Sequence, residues 1–305
     1  MNKTKGILSV VLAAFIYGFT PILGKLSYLE GSNTLSLTFY RSFFSLPLLL
    51  VILKYKKIPL TITKTELGKL SILGILGPAL TAITLYGSYN YISVGMASTI
   101  HYVYPVLVTI TCILIFKEKI CKEKVIALIF STMGVLMFFE GDFTGSVIGV
   151  IIALLSGVVY GAFILFMDKS KINVMYPFKI TFYTSLIAAI FLFIYGTITN
   201  QLVFKMTLLG WIYTGLVSFF ASILANTLMP IAVKNVGATA TSILGMFEPI
   251  TSVILGIIFL RESFTLKSVI GCSLILIGVL IITIAKDKNN NVEEIKIEIE
   301  KEITE

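Results

Sequence analysis

The chain alternates between long apolar blocks and short polar connections. We count ten blocks, each close to the length of about 20 residues that a helix needs to cross the hydrocarbon core of a bilayer. The blocks cover approximately 6–26, 35–53, 70–91, 97–116, 125–139, 145–167, 177–197, 207–229, 237–260 and 267–285. The pattern therefore predicts an all-α polytopic membrane protein with ten transmembrane helices.

Composition agrees with this pattern and excludes an ordinary soluble enzyme. The 305 residues are 57% apolar and 13% charged, whereas a soluble domain has roughly 45–50% apolar and about 25% charged residues. The longest connection, 54–69, is too short to fold alone. Three cysteines without a CxxC pair and a single histidine suggest no metal site. We expect no cofactor and no catalytic residue.

The net charge of +8 comes mainly from lysines at the ends of the blocks, so we expect no nucleic-acid partner. If the N-terminus lies in the cytoplasm, 19 of the 24 basic residues fall on the cytoplasmic side. Such a bias is typical of membrane proteins. We predict a multi-pass protein of the cell (cytoplasmic) membrane with both termini in the cytoplasm. The charged tail 286–305 is predicted to be cytoplasmic and disordered.

The sequence contains an internal repeat. TFYRS at 38–42 matches TFYTS at 181–185, and Tyr17-Gly18 matches Tyr160-Gly161, both 143 residues later. The further matches are Val94-Gly95 with Val236-Gly237, and Pro105, Glu118 and Gly134 with Pro249, Glu262 and Gly278. Because the order is kept and the offset stays between 142 and 144, a duplicated five-helix unit explains the matches.

A unit with an odd number of helices enters the membrane in the opposite sense when it is repeated. The two copies are then related by a pseudo-two-fold axis in the membrane plane. We predict two inverted five-helix repeats, at 1–140 and 141–285, followed by the tail.

Three segments resemble a known family. They are YGFTPILGK from Tyr17, the run 84–118, and the run 236–262, in which a proline is followed 13 residues later by glutamate, once in each repeat. In these segments the chain is similar to the EamA-type branch of the drug/metabolite transporter superfamily. The resemblance covers about residues 6–285. It implies a carrier of small organic solutes whose ten helices surround a central path built from the first, third and fourth helices of each repeat.

Glu248 is the one acidic residue of 16 that lies near the middle of a block. Charge at that depth is costly unless it is paired, hydrated or neutralised. We predict that Glu248 binds an amine of the solute or a coupling proton. The alternative is a protonated or partnered carboxyl that ties helices together.

Two prolines are predicted to bend their helices. Pro249 lacks the amide that would bond the carbonyl of Gly245, and Pro105 likewise frees the carbonyl of His101. Pro105 and Pro249 are therefore candidate hinges, whose freed carbonyls would face a wet cavity. A static kink is the alternative. His101, on the face of Pro105, is a second candidate for proton coupling or solute binding, although a lone histidine is more often a packing residue.

The remaining candidates are polar residues within the blocks. Tyr104 occupies the place of Glu248 in the first repeat, and Tyr86 and Asn90 share a helical face at i, i+4. The predicted solute-binding residues are Tyr17, Tyr86, Asn90, His101, Tyr104, Tyr160, Asn226 and Glu248. Each either lines the path or bridges helices.

Arg41 stands about 9 Å into the second block by helical rise. Its repeat counterpart is Thr184, so its role is not symmetric. Two interpretations stay open: the side chain extends to the outer interface, or it attracts an anion.

These features predict a secondary transporter that moves a small organic metabolite, most simply an amino acid or related compound, by alternating access. Transport is either coupled to protons or facilitated, because the chain has no P-loop of its own for ATP. The alternatives are a facilitative channel and a polytopic membrane enzyme. The expected partners are the solute, the lipid bilayer and a coupling proton, and the sequence carries no signal of an oligomeric state.

Overall fold

A computed structural model describes residues 2–88, 90–92, 94–137, 146–260 and 266–284. These residues form helices joined by short connections, and no strand occurs among them. The helices are α1 (Lys3–Leu29), α2 (Thr34–Tyr55), α3 (Lys64–Ser88), α4 (Val94–His101), α5 (Tyr104–Leu114), α6 (Lys122–Leu136), α7 (Val147–Lys169), α8 (Pro177–Ile198), α9 (Leu208–Gly245), α10 (Glu248–Leu260) and α11 (Leu266–Ile284). The predicted tail, Glu262 and the connection 138–145 lie outside the described residues.

Seven helical runs in the described part of the chain are long and apolar enough to cross a membrane, and a shorter apolar helix covers Val269–Ile284. Large apolar side chains such as Leu8, Leu12 and Phe15 lie exposed on the outside of α1. Small residues such as Gly6, Ala13 and Ala14 are buried on its inner side. This arrangement suits a lipid environment, where apolar side chains face outward and small residues let helices approach closely.

The helix boundaries recur along the chain. Helix α2 becomes α8 when 143 is added to both of its ends. Helices α3 and α9 each contain one wide π-helical segment, Ile75–Thr81 and Ser218–Ala225, again 143 residues apart at the start. Helices α5 and α10, and α6 and α11, begin 144 residues apart. The offset found in the sequence is therefore also present in the backbone.

The two proline-bearing helices are interrupted at equivalent places. The helical pattern is lost at Tyr102 and Val103 between α4 and α5, and at Met246 and Phe247 between α9 and α10. In both breaks the backbone tightens to bonds between residues three apart, such as Val103 N–H to the Ile100 carbonyl at 3.1 Å. The predicted bends at Pro105 and Pro249 are thus seen as breaks.

The carbonyl of His101, which Pro105 frees, does not meet the expectation of a wet cavity. It lies 2.7 Å from the position that a Cβ would occupy at Gly157 of α7. Because glycine has no side chain, α7 approaches closely enough to cover the carbonyl with its backbone.

The turn between the predicted eighth and ninth helices also differs from the expectation. The residues 230–236 were predicted as a connection, but they continue α9 as a helix. The chain turns at Gly237, whose φ of 78° and ψ of 171° are not helical. A positive φ strains most side chains, so glycine allows a one-residue turn here.

Glycines at equivalent positions make reciprocal contacts between the two halves. A Cβ at Gly134 would lie 2.7 Å from the carbonyl oxygen of Gly271, and a Cβ at Gly278 would lie 2.8 Å from that of Ala127. Gly134 and Gly278 are 144 residues apart, as are Ala127 and Gly271. Each half of the contact between α6 and α11 therefore mirrors the other, with the two helices running in opposite directions.

Equivalent helices α2 and α8 also run in opposite directions. The amide of Asn33, which caps α2, donates to the carbonyl of Gln201 just after α8, at 2.7 Å. Lys179, in the first turn of α8, donates to the carbonyl of Thr61 beyond the end of α2, at 2.8 Å. The start of each helix therefore lies beside the end of its equivalent.

We predict that Gly134→Ala lowers the apparent melting temperature of the purified protein in detergent. The added methyl group would meet the Gly271 backbone, which cannot rotate away, at an expected cost of about 1–3 kcal/mol. Gly215→Ala is the matched control, because nothing lies within 4 Å of a Cβ at that helical position. An equal melting temperature for wild type and Gly134→Ala would contradict the close packing of α6 on α11.

Candidate functional site

The two helix breaks meet in the interior. The hydroxyl of Tyr104, the first residue after the break in the first half, donates to the carbonyl of Ser242 in α9 at 3.4 Å. The hydroxyl of Tyr102, inside the same break, donates to the carboxyl of Glu248. Glu248 is the first residue of α10 and follows the second break directly. The interrupted backbone of each half therefore brings polar groups against the other half.

Glu248 lies among aromatic hydroxyls. The carboxyl is deep in the protein, yet the residue is only half-buried. The hydroxyls of Tyr17, Tyr102, Tyr104 and Tyr160 all lie within its electrostatic range. A tyrosine hydroxyl can donate to a carboxylate or accept from a protonated acid. The surroundings therefore suit either protonation state of Glu248.

Tyr102 is the member of this group that the sequence analysis missed. Its signal was present in the run from His101 to Pro105, where three of the five residues are aromatic or histidine and a proline follows. The helical pattern hid it, because the break at Tyr102 turns the side chain away from the face that an unbroken helix would give it.

Tyr17 joins the first half to the second through Asn226. The Tyr17 hydroxyl donates to the Asn226 side-chain oxygen at 2.5 Å. Gly18 allows this approach, because a Cβ there would lie 2.7 Å from the carbonyl oxygen of Glu248. The hydroxyl of Ser252 donates to the Gly18 carbonyl at 3.1 Å and fixes α10 on α1. Tyr17, Asn226 and Glu248 are therefore brought together as predicted.

His101 is held by the second half. Its Nδ1 lies 2.8 Å from the hydroxyl of Ser156, which itself contacts the carbonyl of Ala153 at 2.6 Å. If that hydroxyl donates to Ala153, Nδ1 carries the proton and donates to Ser156. The imidazole also packs between the rings of Tyr104 and Tyr160, with both centroids 5.4 Å away. This arrangement gives His101 a packing role, and its part in transport stays a prediction.

Asn90 does not join the site. Helix α3 ends at Ser88, and Asn90 lies in the following turn with an exposed side chain. The amide of Tyr91 bonds the Ser88 carbonyl at 2.9 Å, which closes that turn. The predicted shared face of Tyr86 and Asn90 is therefore wrong, because the helix stops before Asn90. Tyr86 itself is half-buried and lies within electrostatic range of Tyr17.

Arg41 does not extend to the outer interface. One guanidinium nitrogen reaches the carbonyl of Pro78, near the middle of α3, at 3.5 Å. Its charge also acts on the hydroxyl of Tyr17. The structure therefore places a positive group on the same side of Tyr17 as α3, inside the helical bundle.

Comparison with known proteins identifies the family. The model of the EamA-like transporter family matches residues 4–139 and 147–284. An uncharacterized transporter of Clostridium kluyveri is 26% identical over 95% of this chain and 97% of its own length. The uncharacterized transporter YyaM of Bacillus subtilis is 25% identical over 72% of this chain and 75% of its own length.

A solved crystal structure shares the fold. It superposes with a TM-score of 0.80 at 13% identity, over 92% of this chain and 98% of the other. Since the family match spans most of the sequence, the chain belongs to the EamA-like transporter family and is a multi-pass membrane transporter, not an enzyme.

Proposed function

We propose that the protein is a secondary carrier that moves a small organic metabolite, an amino acid or related compound, across the cytoplasmic membrane by alternating access. The observation that carries this proposal is the meeting of polar groups from both halves at the two helix breaks. Tyr102 donates to Glu248, and Tyr17 donates to Asn226. The central solute site of the proposal consists of these four residues with Tyr86, Tyr104 and Tyr160.

The physical reason is the cost of an unpaired polar group in an apolar interior. A solute that leaves water must find hydrogen-bond partners inside the protein, because each unpaired group costs several kcal/mol, roughly 2–7. Tyr17 and Asn226 pair with each other in the absence of solute. Such a pair can exchange its mutual hydrogen bond for one to the solute without leaving either group unsatisfied.

The architecture of this proposal is ten transmembrane helices in two inverted repeats, 1–140 and 141–285. It is supported by the antiparallel packing of α2 on α8 and by the reciprocal contacts of Gly134 and Gly278. The turn at Gly237 divides α9 into the third and fourth helices of the second repeat. Two copies that face opposite sides provide two equivalent ways to close the path, and rocking between them is the basis of alternating access.

The proposed motion uses the irregular segments. Pro105 and Pro249 follow the two breaks, and the wide segments Ile75–Thr81 and Ser218–Ala225 lie in the helices that precede those breaks. A break without the regular backbone ladder bends more easily than a continuous helix. We assign the hinges to Pro105 and Pro249.

In the proposed orientation both termini are cytoplasmic. The contacts at the ends of the bundle fit this orientation, because each joins segments that the lysine distribution places on one side. Lys69 donates to the Ser170 carbonyl at 2.8 Å, and Lys169 pairs with Glu118. At the opposite end, Thr207 donates to Glu30 at 2.5 Å.

Labelling of single cysteines in intact cells tests the orientation. In a variant without Cys112, Cys121 and Cys272, we predict that Gln201→Cys reacts with a membrane-impermeant maleimide and that Lys56→Cys reacts only after the cells are opened. Both positions are exposed at opposite ends of the bundle. Reaction of Lys56→Cys in intact cells would contradict cytoplasmic termini.

Counterflow in proteoliposomes tests the function. Vesicles loaded with one solute from a panel of amino acids, organic acids, amines, sugars and nucleosides are diluted into the same solute in radiolabelled form. We predict transient accumulation of label for at least one solute. Conductance without saturation would instead indicate a channel.

We predict that Glu248→Gln lowers the rate of this exchange by about tenfold or more, since a hydrogen bond to a charged group is worth roughly 1.5–3 kcal/mol. The amide keeps the size of the side chain and removes its charge. The control is Glu66→Gln, because Glu66 caps the start of α3 and glutamine also serves in that capping box. Exchange at the wild-type rate with Glu248→Gln would remove Glu248 from the proposed site.

A further inference from the structure

Arg41 is an interior charge without a matching counter-charge. Its only hydrogen bond to another residue's carbonyl among the described residues is the 3.5 Å contact with Pro78, which is long for such a bond. Its Nε is buried and has no partner in the part of the chain that the structure describes. No carboxylate in these described ranges lies within ion-pair distance of the guanidinium. The side chain therefore has unused capacity to donate hydrogen bonds.

The position of Arg41 is set by the two wide helical segments. Its guanidinium contacts Pro78, within the π-helical segment of α3. Its carbonyl accepts a hydrogen bond at 2.7 Å from Ser218, the first residue of the π-helical segment of α9. Wide turns of this kind often mark functional sites in helices. Arg41 thus lies where α2, α3 and α9 meet.

Tyr17 lies between two opposite charges. Its hydroxyl is within electrostatic range of both the Arg41 guanidinium and the Glu248 carboxyl. The two charges do not pair with each other, since the electrostatic surroundings of Glu248 include Tyr102 but not Arg41. Two interior charges kept apart in this way are each costly, and each would be stabilised by an opposite charge on a ligand.

The repeat makes this charge separation specific. The residue equivalent to Arg41 in the second half is Thr184, and the residue equivalent to Glu248 in the first half is Tyr104. The first half therefore contributes one positive group and the second half contributes one negative group, at positions that are not equivalent. The interior is dipolar although its backbone is nearly symmetric.

We propose that Arg41 and Glu248 bind the two ends of a zwitterionic solute. The guanidinium of Arg41 holds the carboxylate, and the carboxylate of Glu248 holds the ammonium group, with the Tyr17 hydroxyl between them. A guanidinium suits this task because its planar fork matches a carboxylate with two parallel hydrogen bonds. This inference rests on the proposed function, and it narrows the solute to compounds that carry both charges.

Thermal stabilisation of the purified protein tests the inference, because a ligand that binds the folded state raises its melting temperature. The first probes are the twenty proteinogenic L-amino acids, each alone at millimolar concentration. The amino acid with the largest shift is then compared with two matched compounds: its α-amide, which keeps only the ammonium group, and its desamino acid, which keeps only the carboxylate. We expect the intact amino acid to stabilise the wild type more than either compound.

The variants separate the two ends of the site. We expect Arg41→Gln to weaken binding of the amino acid by about tenfold to a hundredfold, the range that one charge-assisted contact supports, and to leave the weaker binding of the amide unchanged. Glu248→Gln should do the reverse, weakening the amide and sparing the desamino acid. Arg41→Lys should give an intermediate affinity because it keeps the charge without the fork. Lys25→Gln, which removes an exposed charge from α1, is the control.

The comparison of compounds on the wild type needs no variant, so a failure of Arg41→Gln to fold would not protect the inference. Equal stabilisation by the amino acid and its amide would overturn the role of Arg41. If no amino acid binds, but an uncharged or singly charged solute is exchanged in counterflow at the same rate by wild type and Arg41→Gln, the zwitterion inference fails and the carrier stands. If no solute of the panel is exchanged, the proposed function itself fails.

Discussion

The hydrocarbon core of a bilayer offers no hydrogen bonds, and this constraint accounts for most of the structure. It makes the chain helical wherever it crosses, because only a helix satisfies its own backbone within one segment. It also decides where the helix can stop. The two breaks lie inside the protein, where Gly157 covers the His101 carbonyl and the Tyr104 hydroxyl bonds the Ser242 carbonyl. Irregular backbone and polar side chains are therefore collected in one place, and that place joins the two halves.

The same constraint suggests how the halves can be held together and still move. Their close contacts use glycines and carbonyls, as at Gly18 and Gly134, which pack tightly without interlocking side chains. The hydrogen bonds at the breaks are individually modest, about 0.5–1.5 kcal/mol net between neutral groups. In the proposed cycle such bonds exchange between protein, water and solute at little cost. A large interlocked interface between the halves would instead favour one state.

The family, the all-helical membrane character and the position of the bends could be predicted from the sequence, because each follows from a local property. Apolar length indicates a span, and a proline removes one backbone bond wherever it stands. What could not be predicted depends on contacts between distant segments. The end of α3 before Asn90 and the helical course of 230–236 are set by where the chain turns, and hydropathy does not report direction. Tyr102 reaches Glu248 only because two breaks 144 residues apart meet in space. The path of Arg41 inward to Pro78 depends on α3, which the second block alone does not reveal.

A duplicated scaffold separates motion from recognition. Equivalent backbones give two similar arrangements of nearly equal energy, and this equality is what a carrier needs to pass between them. The same equality would give identical chemistry to both halves and a site without polarity. Substitutions at single positions remove that limit: threonine faces arginine across the repeat at 184 and 41, and tyrosine faces glutamate at 104 and 248. Because each substitution changes a side chain and leaves the helix boundaries in register, the site acquires a direction without disturbing the balance of the fold. The orientation of a dipolar solute is then set by which half carries which charge.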